Sequence, residues 1–248
     1  MALWTPVLIT TALWLDAADA DTITLNSGNV SQWDDKSGNA RHATQETAPD
    51  QPPVVSAGLN GLNTLRFNTE YMQGEVFNPT AISVFAVRKI NNPAGSTSEY
   101  CNSFLDSGNA ISFGSSEGIR FDNFNSTARI GTRSSFTTFS NTSTAWQIQA
   151  GLYAAGSRSL WLDGVSVATS TTSGDITTTA TKYTVGRFQS HHSGTVSSQI
   201  MDGEIAEIIV VPSSVDLDTR QKIEGYLAWK WGLEANLPSG HPYELGAP

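Results

Sequence analysis

Apolar residues recur along this chain mostly at the short spacing of β-strands. The segment 82–87 (ISVFAV) is almost continuously apolar, 205–211 (IAEIIVV) is broken only by Glu207, and 146–153 (WQIQAGLY) alternates. Near-continuous runs fit strands buried on both faces, whereas alternation fits a strand with one wet face. Shorter runs at 12–16, 22–25, 30–33, 62–67, 71–73, 104–106, 110–113, 118–121, 128–130, 135–139 and 183–186 are separated by Gly, Asn, Asp, Ser and Pro, which favour turns. The segments 159–163 and 165–169 meet at Asp163-Gly164, a two-residue hairpin turn. Short strands at such even spacing, with no internal repeat, predict an all-β fold, a jelly-roll β-sandwich of two antiparallel sheets.

The period lengthens once, behind Pro212. Ser213, Ser214 and Asp216 offer N-cap oxygens, and Asp216 and Asp218 place negative charge in a first helical turn. The helix should run to about Trp231, with Gly232 as its stop. At about 100° per residue, Leu217, Ile223, Leu227 and Trp231 share a face. Trp229 points nearly the opposite way, so the Pro-containing tail 237–243 is expected to fold over it. This C-terminal helix is expected to act as a lid on one edge of the sheets. Residues 1–12 read as an arm, and 13–248 as one domain. Gln51-Pro52-Pro53 reads as a stiff surface loop, and 205–211 reads as the closing strand ahead of the helix.

Composition narrows the function classes. The 248 residues are 39% hydrophobic and only 15% charged, which suits a loop-rich β fold of extracellular or virion type. A net charge of −9 argues against nucleic acid and anionic membrane as partners. It suits neutral sugars, cations or a basic protein surface. No run approaches the ~20 apolar residues of a membrane span. Cys101 is the single cysteine, so neither an internal disulfide nor a Cys-based zinc site is available, and it reads as a bystander. The first twenty residues end in small side chains as a secretory signal does. They lack a basic start, however, and Pro6 interrupts the apolar part.

Several strings carry a family resemblance: LWLDA at 13–17, WDDKSGNARHATQ at 33–45, GLNGLNTLRF at 58–67, SLWLDGVSVAT at 159–169, GEIAEIIV at 203–210, RQKIEGYLAWKWGL at 220–233 and LPSGHPY at 237–243. They resemble laminin-G-like modules of the concanavalin A-like lectin/glucanase superfamily, found in bacterial surface proteins and phage virion proteins. The resemblance covers both ends of the chain and implies the sandwich. It implies little about chemistry, because that fold hosts lectins, glycosidases and structural modules.

Glycoside hydrolysis needs two carboxylates about 5–10 Å apart across a cleft. The E-x-D-x-x-E pattern of the glucanase branch is absent. Glu204 and Glu207, three apart, are expected to face opposite ways on a strand, as are Glu117 and Asp122, five apart. No Ser-His-Asp signature appears. His191 and His192 are adjacent, so on an extended segment they point apart; they read as a solvated loop or as the rim of a ligand groove. His42 reads as structural, and His241 as packing against the helix. Calcium seeks clustered carboxylates, carbonyls and Asn side chains on turns. Asp16, Asp19 and Asp21 form one such segment, and Asp34, Asp35 and Asn39 another. The plain alternative is that these residues build turns. Lectin relatives often hold calcium, on ligands that vary between branches. A sugar site stacks an exposed aromatic on the sugar and meets its hydroxyls with polar side chains. Tyr100 with Asn102, the loop Asn123-Phe124-Asn125, and Arg187 with His191 and His192 have that chemistry. Asn125 and Asn141 stand in glycosylation sequons.

The expectation is a non-catalytic, lectin-like virion protein that decorates a phage particle and contacts host glycans. The alternatives are a structural capsid or tail decoration protein, docked through its apolar arm, a secreted or cell-surface bacterial module, and a glucanase-branch hydrolase. A homo-oligomer is left open.

Overall fold

The structure, a computed structural model, describes residues 3–93, 103–106, 119–132, 135–171, 176, 182–187 and 201–248. In chain order the strands are β1 (Leu13–Asp16), β2 (Ile23–Asn26), β3 (Asn29–Trp33), β4 (Ala43–Thr44), β5 (Val54–Leu59), β6 (Leu62–Phe67), β7 (Met72–Glu75), β8 (Ile82–Ile90) and β9 (Ser103–Asp106). They continue with β10 (Arg120–Phe124), β11 (Thr127–Thr132), β12 (Ser135–Ser140), β13 (Gln147–Ala154), β14 (Ser157–Leu162), β15 (Val165–Ser170), β16 (Lys182–Val185) and β17 (Gly203–Val211). They form two antiparallel sheets. The eight-stranded sheet runs β15-β14-β13-β8-β17-β6-β5, with β1 also on β17; the nine-stranded sheet runs β12-β11-β10-β9-β16-β7-β4-β3-β2. The expected jelly-roll sandwich is the observed fold.

The near-continuous apolar runs are explained by two cores. In β8, Ile82, Val84, Ala86 and Ile90 face the nine-stranded sheet, while Phe85 and Val87 face the other way. β17 divides likewise: Ile205, Ile208 and Val210 point between the sheets, and Ile209 and Val211 point outward. The outward residues are covered by the helix α1 (Leu217–Trp231), which buries Ile223, Leu227, Ala228 and Trp231 on them. Asp216 caps it by accepting the Thr219 N–H at 2.8 Å, and Gly232 ends it in the left-handed region at φ 68°.

Three details of the helix differ from expectation. It covers a sheet face rather than an edge. Leu217 is 63% exposed, because it lies on the first turn, before the helix reaches the sheet. The buried face includes a polar pair that periodicity did not suggest: Arg220 donates to Glu224 at 2.6 Å and lies 3.7 Å over the Trp161 ring. The tail does fold back. Trp229 is 37% exposed and donates its indole N–H to Tyr243 O at 2.8 Å. Tyr243 lies so close to Gly225 that a Cβ there would stand 2.7 Å from its side chain. His241 accepts the Tyr243 N–H on Nδ1, leaving Nε2 to donate to the buried Glu224 at 3.3 Å.

The arm is tied down. Trp4 donates its backbone N–H to Pro248 O and packs edge-on against Tyr226, with ring centroids 6.1 Å apart. Pro6 is buried, whereas Leu3, Val7 and Leu8 are exposed. At the expected surface loop, Gln51 and Pro52 are buried, and the chain continues into β5, which has too little apolar patterning to announce itself. The hairpin at Asp163-Gly164 is formed as expected, both residues having positive φ. The expected strand at 110–113 lies outside the described residues.

Candidate functional site

The two outer faces of the sandwich differ. That of the eight-stranded sheet is apolar and covered by α1. On the nine-stranded sheet, Val30, Trp33, Ala43, Met72, Phe121, Tyr183 and Val185 point inward to the core. The alternate positions point outward, and the register aligns them in a row: Thr24 opposite Gln32, Gln32 opposite Thr44, Thr44 opposite Gln73, and Gln73 opposite Thr184. A second row joins Asp122, Arg129 and Thr138. Asp122 and Arg129 are bonded through both carboxylate oxygens at 2.6 Å. The face is polar throughout these rows.

At its β2 edge the face deepens into an open groove of about 500 Å³, lined by Thr24, Asn26, Ser31, Gln32, Thr44, Gln45, Glu46 and Gln51. Glu46 is the sole charged lining residue. Gln45 is fixed at both ends, donating to Tyr71 O at 3.0 Å and accepting the Thr47 N–H at 3.0 Å. Gln51 donates to Gln45 O at 2.7 Å. Beyond Gln45, the half-buried Tyr71 ring carries the Arg187 guanidinium at 5.1 Å. Burial lowers that guanidinium from its ordinary value. This is an aromatic beside hydrogen-bonding groups, the composition a sugar site requires.

The expected ligand residues do not converge. Arg187 comes nearest the groove, through Tyr71 and through its carbonyl, which accepts the Thr184 hydroxyl at 2.8 Å. Asn123 is a correction: it belongs to β10 rather than a loop, and its side chain is fully buried on the inner face. Neither of its amide atoms has a partner. Phe124 ends β10, and Asn125 is exposed in the following turn with φ 48°. Tyr100, Asn102, His191 and His192 lie outside the described residues, as do Cys101 and Glu117.

The acidic turns are engaged. Asp16 accepts Lys230 at 2.6 Å and Lys36 at 3.0 Å, and Asp19 accepts Lys36 at 2.6 Å. Asp35 takes the backbone N–H groups of Trp14, Ser37 and Arg41. Asp34 accepts Gln32 at 2.7 Å, and Asn39 donates to Thr11 O at 2.9 Å. His42 accepts the Asp35 N–H at 3.1 Å. Each of these side chains therefore already has a partner within the protein. No group of three or more acidic, His or Cys side chains suited to a metal ion occurs among the described residues.

Glu204 and Glu207 require a second correction. The register between β17 and β8 shifts between Ile205 and Glu207, so Ala206 is an extra residue and both carboxylates face the helix side. Glu207 is fully buried there. It accepts Trp14 Nε1 (2.7 Å) and Tyr226 OH (3.1 Å) on Oε1, and Lys230 (2.7 Å) and Trp231 Nε1 (2.7 Å) on Oε2. Burial raises its carboxyl above the usual range, against the pull of Lys230.

No family model matches the sequence, and no curated protein matches it. Solved structures do. The binding domain of botulinum neurotoxin DC in complex with SialylT superposes with a TM-score of 0.58 at 12% identity, over 88% of this chain and 52% of that one. An arabinofuranosidase complexed with arabinofuranosyl-α-1,2-xylobiose gives 0.60 at 11% identity, over 86% and 58%. Domain 4 of AbnA, a GH43 extracellular arabinanase from Geobacillus stearothermophilus, in complex with arabinotriose, gives 0.57 at 12% identity, over 84% and 94%. The fold is a β-sandwich shared with these domains. At these identities the likeness carries the fold alone, and the chain spans about half the length of the neurotoxin domain.

The groove of this β-sandwich is not legible in the sequence because its residues are ordinary. Gln and Thr at alternate strand positions read only as a wet face. The available signal was that Thr24, Gln32, Thr44 and Gln73 are all hydrogen-bonding and short of charge. Their assembly into one row depends on pairings among strands distant in sequence.

Proposed function

We propose that this lectin-like sandwich is a non-catalytic carbohydrate-binding module that meets its ligand on the outer face of the nine-stranded sheet. One observation carries the reading: that face is a continuous polar row flanked by Tyr71 and Arg187, while the opposite outer face is occupied by α1. Sugar hydroxyls need hydrogen-bonding groups of this kind. Two of the structural neighbours hold arabinose-containing oligosaccharides, which agrees with the reading. Glu207, the one carboxylate bonded to both tryptophans and Lys230, lies beneath the helix out of reach of a substrate, which supports a binding role over hydrolysis.

The test is a glycan array, run once with calcium and once with EDTA. Saturable binding is expected, reduced about tenfold by Gln73→Ala, which removes roughly one ligand hydrogen bond. Loss of binding in EDTA would bring calcium into the site. A blank array, or binding indifferent to Gln73, refutes the proposal.

A virion-surface role is the finer form of the same proposal. It is favoured by the arm, where Trp4 and Pro6 are held and Leu3, Val7 and Leu8 are left exposed for a capsid or tail protein.

A further inference from the structure

We infer that the groove at the β2 edge is a subsite for neutral, hydroxyl-rich sugar rings and that it refuses anionic ones. The inference rests on the carbohydrate-binding reading and concerns what that site selects.

The argument is a census of donors and acceptors. Several lining residues have their donor ends tied to the protein. Ser31 donates its hydroxyl to Thr24 O at 3.1 Å, and Thr44 donates to Gln73 O at 3.3 Å. Gln32 donates through Nε2 to Asp34 at 2.7 Å, and Gln51 through Nε2 to Gln45 O at 2.7 Å. What is left to offer is one oxygen on each of the two hydroxyls and, on each of the two amides, one oxygen and one further N–H. Glu46, exposed on the same groove, adds a carboxylate.

Gln51 is the decisive member. It is 2% exposed, and its Oε1 is buried with no hydrogen-bond partner. The amide is not free to turn over, because the group it meets at 2.7 Å is a carbonyl and requires the nitrogen on that side. Buried acceptors left unpaired cost free energy until a donor meets them. A groove of about 500 Å³ lies within the range of small-ligand sites.

A groove that adds a carboxylate and a buried amide oxygen to its hydroxyls and amides favours a ligand that donates. A sugar hydroxyl donates one hydrogen and keeps its lone pairs for water or a neighbour, so a neutral ring matches. A sugar carboxylate, sulfate or phosphate brings acceptors only, and brings negative charge beside Glu46 on a chain whose net charge is −9. The groove lining holds no cation to offset it.

The probe is an array of matched pairs, each a neutral oligosaccharide beside its sialylated, sulfated or uronic counterpart, read with the full chain. Binding is expected at neutral members, at least tenfold stronger than at their anionic partners. Thr44→Val and Gln32→Leu, both on the solvent side of the sheet, should weaken it at least threefold each with unchanged melting. Glu46→Lys should narrow the neutral-to-anionic ratio at least tenfold. If anionic members bind as well or better, or if Gln73→Ala abolishes binding that Thr44→Val and Gln32→Leu leave intact, the groove inference is overturned while carbohydrate binding stands. If no member binds, the carbohydrate reading falls with it.

Discussion

Lys230→Met is the sharpest probe of how this fold is closed. The Lys230 ammonium lies 2.7 Å from Glu207 and 2.6 Å from Asp16, and Glu207 has no exposed surface. Methionine keeps the stem of the side chain, which passes near the Trp231 and Tyr226 rings, and removes the charge. Asp16 retains Lys36 at 3.0 Å. Glu207 retains three neutral donors, Trp14, Tyr226 and Trp231, and no cation. Removing one partner of a buried ion pair costs about 3–5 kcal/mol, because the remaining charge is left desolvated. In a domain of this size 1 kcal/mol moves the melting temperature by about 2–4 °C, so the expected fall is about 6–20 °C. The double variant Glu207→Gln/Lys230→Met removes both charges and should regain at least half of the loss, since replacing a buried pair as a unit is often near neutral. The assay is calorimetric or far-ultraviolet melting of wild type, both single variants and the double. A Lys230→Met protein melting within about 2 °C of wild type, or a double variant whose loss is the sum of the singles, would refute the account of Glu207 as a charge held by Lys230.

Two further outcomes test the same architecture. Leu227→Ala should cost about 2–5 kcal/mol, because Leu227 is fully buried against the eight-stranded sheet, whereas Leu217→Ala should change urea stability by less than about 0.5 kcal/mol; equal effects would mean that the helix packs on another face. The Lys36 hydrogen bond holds the Asp19 carboxyl below its ordinary value, so that contribution is present above the unfolded pKa near 3.8 and is lost as pH falls through the folded one. Lys36 itself is pulled down by burial but raised overall by Asp19 and Asp16, so its contribution is present below 10.5 and is lost as pH rises through the folded value. Lys36→Met should therefore flatten the urea-midpoint profile at both ends, by about 1 kcal/mol or less for a pair that solvent still reaches, and an unchanged profile would remove the pair from the stability account.

The sequence made the fold legible where one residue type served one purpose. Asp216 and Gly232 bound the helix because capping and left-handed backbone are local requirements, and Asp163-Gly164 makes its hairpin for the same reason. Legibility failed where a distant element changed the meaning of a position. The extra residue at Ala206 puts Glu204 and Glu207 on one face, and strict alternation cannot reveal a bulge that is defined by its partner strand. Arg220 and Glu224 look like a solvent-side pair by charge, yet Trp161 and His241 bury them. Asp16, Asp19 and Asp35 draw Lys36, Lys230 and the Trp14 N–H from across the fold, partners that the local turns do not announce.

The strings LWLDA, GEIAEIIV and RQKIEGYLAWKWGL meet in one place in the fold. Trp14 and Asp16 come from LWLDA, Glu207 from GEIAEIIV, and Tyr226, Lys230 and Trp231 from the helix, and all six meet around one buried carboxylate and one ammonium. They join the first strand, the last strand and the helix, and so tie both ends of the chain to one sheet. Each of these contacts needs a particular donor or acceptor at a buried position, where a substitution leaves a partner unsatisfied. The outer row of the other sheet is under no such constraint. Thr24, Gln32, Thr44 and Gln73 face away from the core, and exchanging one for another polar residue disturbs little packing. The closing network therefore specifies the sandwich and says nothing of a ligand. The proposed ligand has to be read from the face that the helix leaves open, where the groove beside Gln51 is lined by hydroxyls, amides and one carboxylate.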